Sequence, residues 1–210
     1  MEFHEELKQR ENDITLDYVD TLNPLSYISM SIVFEEDLTM TELYDLSSEY
    51  SELDIKWAGI RTTEPGTVWS DSYGMNLIGF NPDPDDEPSS NRQPDSEEYP
   101  LFYLNDVYVQ DESFNPFEDF PEAYETHFKS RLNYIRNQEE FVELVNYSTS
   151  KTDFYEDALK YIDENGVETY GIRVYGTAEA FSEHIGDLPY ASLFINEVAA
   201  SKPNMNIYYD

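Results

Sequence analysis

The sequence predicts a mixed α/β (α+β) fold, in which two βαβ-type units form mixed sheets packed by helices from the middle of the chain. Residues 27–62 read as a strand, a capped helix and a second strand, and residues 168–199 repeat that order less closely. A helix that returns the chain to a new strand is typical of a βαβ crossover. We therefore expect parallel strands within each unit.

The first unit opens with a strand that should end at the acidic run 35–37. Ile28, Met30, Ile32 and Phe34 alternate with smaller or polar residues, which is the period-2 pattern of a strand that buries one face.

Thr39 then takes the N-cap position of a helix over residues 40–50, with Glu42 three residues later as in a capping box. The apolar positions expected to be buried after this cap are Leu43, Leu46 and Tyr50 on the helix and Leu53, Ile55 and Trp57 on the next strand.

The second unit repeats these features. Ile172 and Val174 mark a strand, Thr177 is the N-cap, and Phe181 and Ile185 mark the buried side of the helix. The alternating positions of the following strand are Leu193, Ile195 and Glu197. An internal duplication and two unrelated βαβ units both fit this pattern. Similar strand directions and connections in the two units would support a duplication.

The remaining elements follow from weaker patterns. Residues 1–13 predict a short helix or an irregular lead-in, and residues 14–19 and 101–109 predict strands. The Pro-rich, acidic run 81–98 predicts a surface loop.

The middle of the chain predicts two helices. The longer starts at Pro121 and buries Tyr124, Phe128, Leu132 and Ile135; the second starts at Asp153 and is stopped by Asn165 and Gly166. We expect one domain over 1–210, with sub-units 14–110 and 111–210.

The charge of the chain excludes some classes of function. Twelve basic residues against 45 acidic residues give a formal net charge of −33. Such a field repels nucleic-acid phosphates and anionic lipids, so we expect neither nucleic-acid binding nor direct membrane contact.

No apolar run is long enough to cross a membrane, and the charged start is not a signal peptide. A membrane anchor, if the protein has one, would have to lie upstream of Met1.

The sequence offers no convincing catalytic or metal-binding motif, and we expect no cofactor. The acidic runs 35–37 and 83–87 are typical of solvated loops. The second run could bind calcium weakly, although it lacks the spacing of an EF-hand. His127 and His184 are predicted to be partly exposed helix residues.

Four residues form a weak candidate recognition surface: Trp57, Arg61, Trp69 and Arg173. Tryptophan and arginine are enriched at the centres of protein interfaces. The alternative, which we prefer at this stage, is that the Trp rings fill the core and each Arg pairs with a carboxylate. An exposed cluster of these rings would reverse that preference.

Residues 25–62 resemble the C-terminal domain of the sigma-factor-regulator family, found in Gram-positive, membrane-anchored anti-sigma-factor-like proteins. A phrase of the form E-x-L-T-x-x-E-L is matched by residues 36–43, and a W-x-G-like motif is matched by residues 57–59. The resemblance is weaker over residues 170–198. These motifs are structural, so they indicate a common fold more than a common activity.

The resemblance implies a non-enzymatic domain on the outer side of the membrane, anchored through an upstream transmembrane helix. Its partner would be a protein or an envelope component, and a cytoplasmic segment absent from this chain would hold the sigma factor. The main alternative is a self-contained acidic protein that mimics nucleic-acid charge and occupies a basic partner. A carboxylate-dependent hydrolase and a salt-adapted origin of the charge also stay open.

Overall fold

A computed structural model describes residues 2–65, 78–86, 94–110, 116–138 and 150–202. The strands are β1 Tyr27–Thr39, β2 Asp54–Ile60, β3 Gly79–Phe80, β4 Glu168–Thr177 and β5 Tyr190–Ala199. The helices are α1 Glu2–Thr21, α2 Met40–Glu49, α3 Val107–Gln110, α4 Pro116–Arg136, α5 Ser150–Asn165 and α6 Ala178–His184. These strands form a five-stranded sheet in the order β3-β2-β4-β1-β5.

All neighbouring strands in this sheet are antiparallel, so the prediction of a mixed sheet is wrong. The prediction that the two strands of each unit run parallel is confirmed, although these strands are not neighbours. β1 and β2 do run in the same direction, but β4 lies between them; in the same way, β1 lies between β4 and β5. Each unit is therefore a split βαβ unit that receives a strand of the other.

The α+β class and the two βαβ units are confirmed. The strand directions and the order of the connections are the same in both units, which is what a duplication predicts. Because each unit completes the other's part of the sheet, residues 14–110 and 111–210 share one hydrophobic core.

The two crossover helices begin at the threonine caps that the sequence predicts. The Thr39 hydroxyl accepts a hydrogen bond from the Glu42 backbone N–H (3.3 Å), and the Glu42 carboxylate accepts one from the Thr39 N–H (2.8 Å). The Thr177 hydroxyl accepts from the Ala180 N–H (3.2 Å). Both caps satisfy backbone donors that a helix start leaves without a partner.

The core lies between one face of the sheet and the helices that pack on it. On β1, the alternating residues Ile28, Met30, Ile32 and Phe34 are all buried, as predicted. The largest apolar side chains in this layer that are almost fully buried include Phe181, Met40, Leu43, Ile60, Leu104 and Ile162. The strand itself extends past the acidic run 35–37 to Thr39, because the run forms an irregularity in the pairing with β4.

Residues 14–19 form part of α1, so the predicted strand there is wrong. Asn12, Leu16 and Val19 are spaced by four and three residues and face the protein, with Asn12 and Val19 buried. The Asn12 side chain donates to the Ala191 carbonyl (3.1 Å) and accepts from the Leu193 N–H (3.0 Å). Helix α1 thus covers the backbone of an edge strand, which would otherwise be open to pairing.

Residues 101–109 also differ from their predicted strand. They form a 3-10 turn, Leu104–Asp106, followed by α3. Leu104 and Val107 are buried, and their spacing of three is helical rather than alternating.

The predicted long helix is confirmed but starts earlier, at Pro116, so Pro121 lies within it. Tyr124, Phe128 and Leu132 are buried as predicted, whereas Ile135 is exposed. The predicted stop at Gly166 is confirmed as well: Gly166 has φ +93°, and its N–H donates to the Ile162 carbonyl (2.9 Å).

Some predicted features lie outside the described residues, among them Trp69, because residues 66–77 are not described. The loop 81–98 is described only at residues 81–86 and 94–98. Among the described helices, none is both long and apolar enough to span a bilayer.

Candidate functional site

The face of the sheet opposite the core carries a row of four side chains from four neighbouring strands. Trp57 on β2 is paired with Arg173 on β4, Arg173 is paired with Ser31 on β1, and Ser31 is paired with Phe194 on β5. Directly paired residues in antiparallel strands point to the same face. We call Trp57, Arg173, Ser31 and Phe194 the outer row.

Trp57 reaches this face because the pairing of β2 with β4 shifts between Ile55 and Trp57. The prediction that Trp57 continues the buried alternation of Ile55 is therefore wrong, and its side chain is half-buried on the outer face. The indole lies against Gly59, two residues further along the same strand. A Cβ atom on Gly59 would come within 2.4 Å of Trp57 Cη2.

The second glycine under the indole is Gly79 on β3, which pairs with Gly59. A Cβ atom on Gly79 would lie 2.7 Å from Trp57 Cε2. The W-x-G motif therefore has a local structural meaning: glycine leaves the space that the tryptophan ring fills.

Arg61 is held by Asp37 rather than free for a partner. Its Nε and Nη2 atoms donate to the two carboxylate oxygens at 2.6 and 2.7 Å, a bidentate geometry. The hydrogen bond to Asp37 raises the pKa of Arg61 above its ordinary value. Asp37 reaches Arg61 from the irregular part of β1, so the acidic run has a structural role. Arg61 thus pairs with a carboxylate, as the alternative interpretation expects.

Tyr170 joins these two parts of the outer face. Its ring lies 6.2 Å from the Trp57 ring and 5.0 Å from the Arg61 guanidinium carbon. Burial raises the pKa of Tyr170 to about 12, although the charge of Arg61 acts in the opposite direction. Its hydroxyl is buried and has no hydrogen-bond partner within the described parts of the chain.

Arg173 and Phe194 are the exposed members of the outer row, and Phe194 is 51% exposed. Within the described residues, no carboxylate lies within ion-pair distance of Arg173. The sequence analysis missed Phe194, although its position between Leu193 and Ile195 places it on the opposite face of an alternating strand. Of the four predicted recognition residues, Trp57 and Arg173 belong to the row, Arg61 lies beside it, and Trp69 is outside the described residues.

The acidic loop after β3 contacts a lysine of β2. The Lys56 ammonium contacts Asp54 at 2.8 Å and Asp83 at 3.0 Å, and it also contacts Asp86. Burial lowers the pKa of Lys56, but hydrogen bonds to the three carboxylates outweigh this effect and raise it. Asp83 and Asp86, both in the run that could bind calcium weakly, thus contact a cation of the protein itself.

His127 is fully buried in α4, so the prediction of partial exposure is wrong for it. Its Nδ1 lies 2.9 Å from the Leu101 carbonyl, which assigns the ring proton to that nitrogen and leaves Nε2 to accept from Arg131 (3.4 Å). Burial lowers its pKa to about 4.

His184 is partly exposed, as predicted. It lies near Glu52 and Glu183, and within the described residues these three side chains have ligand atoms within 4.8 Å of one another. The 3.6 Å contact between His184 and Glu52 forms an ion pair when the histidine is protonated.

Comparison with known protein families gives one informative result. The family model described as sigma factor regulator C-terminal matches residues 19–185, which cover the first βαβ unit, the helices of the middle, β4 and α6, and end before β5. Searches of curated proteins and of solved structures gave no significant match. The chain therefore belongs to the sigma factor regulator C-terminal family, and this membership indicates a regulatory, anti-sigma-factor-like role.

Proposed function

We propose that this chain is the extracytoplasmic, non-enzymatic sensory domain of a membrane-anchored anti-sigma-factor-like protein, and that it binds a protein or envelope component through the outer row. The observation that carries the proposal is the alignment of Trp57, Arg173 and Phe194 on one partly exposed face of the sheet. Binding would reach the sigma factor indirectly, through a cytoplasmic segment outside this chain.

The chemistry of the row defines the partner. Phe194 offers an exposed apolar ring, and Arg173 offers an exposed cation in a chain that has only 12 basic residues. Aromatic and arginine side chains provide much of the binding energy in protein interfaces. A partner with complementary chemistry presents an acidic group to Arg173 and an apolar group to Phe194. The groups around them are basic or neutral, so that the strongly negative surface of this chain does not repel them.

The test uses the full-length native protein in its own cells, with a transcriptional reporter of the cognate sigma factor. Phe194→Ser and Arg173→Glu should change reporter output at unchanged protein level, because both alter the outer row without removing a core side chain. Tyr18→Ser and Arg10→Glu are matched controls on α1, where both side chains are exposed. The proposal fails if all four variants give the reporter response of the unmodified protein.

A further inference from the structure

A cavity of about 280 Å³ lies on the opposite side of β2 from the outer row, between α2, the start of β2 and α4. Its walls include the rings of Tyr44, Phe120 and Tyr124, and Tyr108 of α3 stands beside them with 54% of its surface exposed. The cavity is slightly smaller than a typical site for a drug-sized ligand, which occupies about 300–1,000 Å³. Its size suits a single side chain or a small organic group.

The aromatic walls hold one another in place. The rings of Tyr44 and Phe120 are stacked, with centroids 5.5 Å apart, and the Tyr124 ring is 5.7 Å from Phe120. Tyr108 meets Phe120 edge to face at 6.2 Å. These contacts form the walls before any ligand arrives, so binding would cost little side-chain entropy.

The open side of the cavity is acidic. Asp54, Asp83 and Asp85 line it, and Asp86 lies next to them. Lys56 is the basic residue of this group, so four carboxylates against one ammonium leave a net charge of −3.

The negative charge of the carboxylates also affects the pKa of Tyr108 in the wall of the cavity. Burial raises the pKa of Tyr108, and the charges of Asp85 and Asp83 raise it further.

We propose that this cavity binds an alkylammonium group, meaning a positively charged nitrogen on a short aliphatic stem. The negative faces of aromatic rings attract such a cation, and the attraction is stronger where water is excluded. The carboxylates supply the counter-charge, and the apolar wall accepts the stem. The group could come from a free small amine or from a lysine side chain of a partner protein. This inference does not depend on the outer row or on the proposed function.

The experiment titrates the complete chain with choline chloride and with N-acetyl-lysine methylamide, and follows binding by NMR chemical shifts. The uncharged controls are 3,3-dimethylbutanol and the N-acetyl methylamide of 2-aminoheptanoic acid, which keep the shape but lack the charge. We expect at least one cation to bind at least tenfold more tightly than its control. Tighter binding of choline would favour a free small ammonium compound as the source, and tighter binding of the lysine derivative would favour a lysine of a partner protein.

Two exposed positions test the location of the site. Tyr108→Leu and Asp85→Asn should each weaken binding of the cation by about three- to tenfold, within the range of a cation–π contact or a surface charge pair. Tyr18→Leu and Asp157→Asn change the same residue types at exposed sites elsewhere and should leave affinity within twofold. The inference is overturned if neither cation binds better than its control, or if the cavity variants and the distant variants behave alike.

Discussion

At the scale of single residues, Gly59 determines where the Trp57 ring can lie. A methyl group at this position would meet the indole at 2.4 Å and the Tyr170 ring at 2.6 Å, and these two rings also contact each other. We therefore expect Gly59→Ala to lower the free energy of unfolding by about 1–3 kcal/mol, the usual cost of overpacking. Urea denaturation followed by tryptophan fluorescence measures this change.

Gly186 provides the matched control for that substitution. A Cβ atom there meets no heavy atom within 4 Å, so Gly186→Ala should leave stability within about 0.5 kcal/mol of the original. Equal effects of the two substitutions would show that the Trp57 ring does not depend on the space above Gly59.

His127 links the stability of the fold to pH. Its pKa is about 4 in the folded protein, whereas an unfolded histidine titrates near 6.5. Between these values the unfolded chain binds a proton that the folded protein does not, so this contribution to stability falls as the pH falls. The difference corresponds to about 3 kcal/mol between pH 6.5 and pH 4.

The comparison with His127→Gln isolates this effect, because glutamine does not titrate. Protonation of the many carboxylates changes stability in both proteins, so the informative quantity is the difference between their pH profiles from urea denaturation. We expect the unmodified protein to lose more stability than the variant between pH 6.5 and pH 4. Parallel profiles would mean that His127 is not held neutral by burial.

At the scale of elements, the threonine caps define where the crossover helices begin. Thr39→Ala removes the acceptor for the Glu42 N–H and should cost about 1 kcal/mol of stability. Thr41→Ala in the first turn of the same helix is the control, because its side chain is exposed and carries no cap. Thermal unfolding of both variants measures the difference; a loss as large for Thr41→Ala as for Thr39→Ala would contradict the capping role.

The elements also show what could be predicted from the sequence. The strand, cap and helix patterns of both βαβ units are local, and the residues that carry them, such as Met30, Thr39 and Phe181, lie as expected. The interleaving of the units could not be predicted in this way, because alternation shows which residues face the core but not which strand pairs with which. Residues 14–19 of α1 resemble a strand in sequence because the buried stripe of the helix is narrow and includes a polar residue, Asn12.

The candidate site was predictable only in part, for a related reason. Composition and residue type identified Trp57 and Arg173, but only the pairing of β1 with β4 and β5 brings Ser31 and Phe194 into the same row. The bidentate contact that holds Arg61 depends on a local irregularity in β1, which has no sequence period.

At the scale of the whole molecule, the net charge of −33 lowers the stability of the folded state. Repulsion among the carboxylates opposes the compact state, and salt shortens its range from about 30 Å at 0.01 M to about 3 Å at 1 M. We expect the midpoint of urea unfolding at pH 7 to rise when sodium chloride is increased between these limits. A midpoint that falls or stays constant would show that repulsion among the carboxylates does not limit the stability of the folded state.

The central claim is that this regulatory domain lies on the outer side of the membrane, and it can be tested by cysteine labelling in intact cells. The chain contains no cysteine, so Ser48→Cys on the exposed side of α2 provides a single thiol within it. The full-length native protein carrying this change is treated with a membrane-impermeant maleimide before and after cell lysis. The account predicts that the thiol introduced at position 48 is labelled to the same extent before and after lysis. Labelling that appears only after lysis would contradict it.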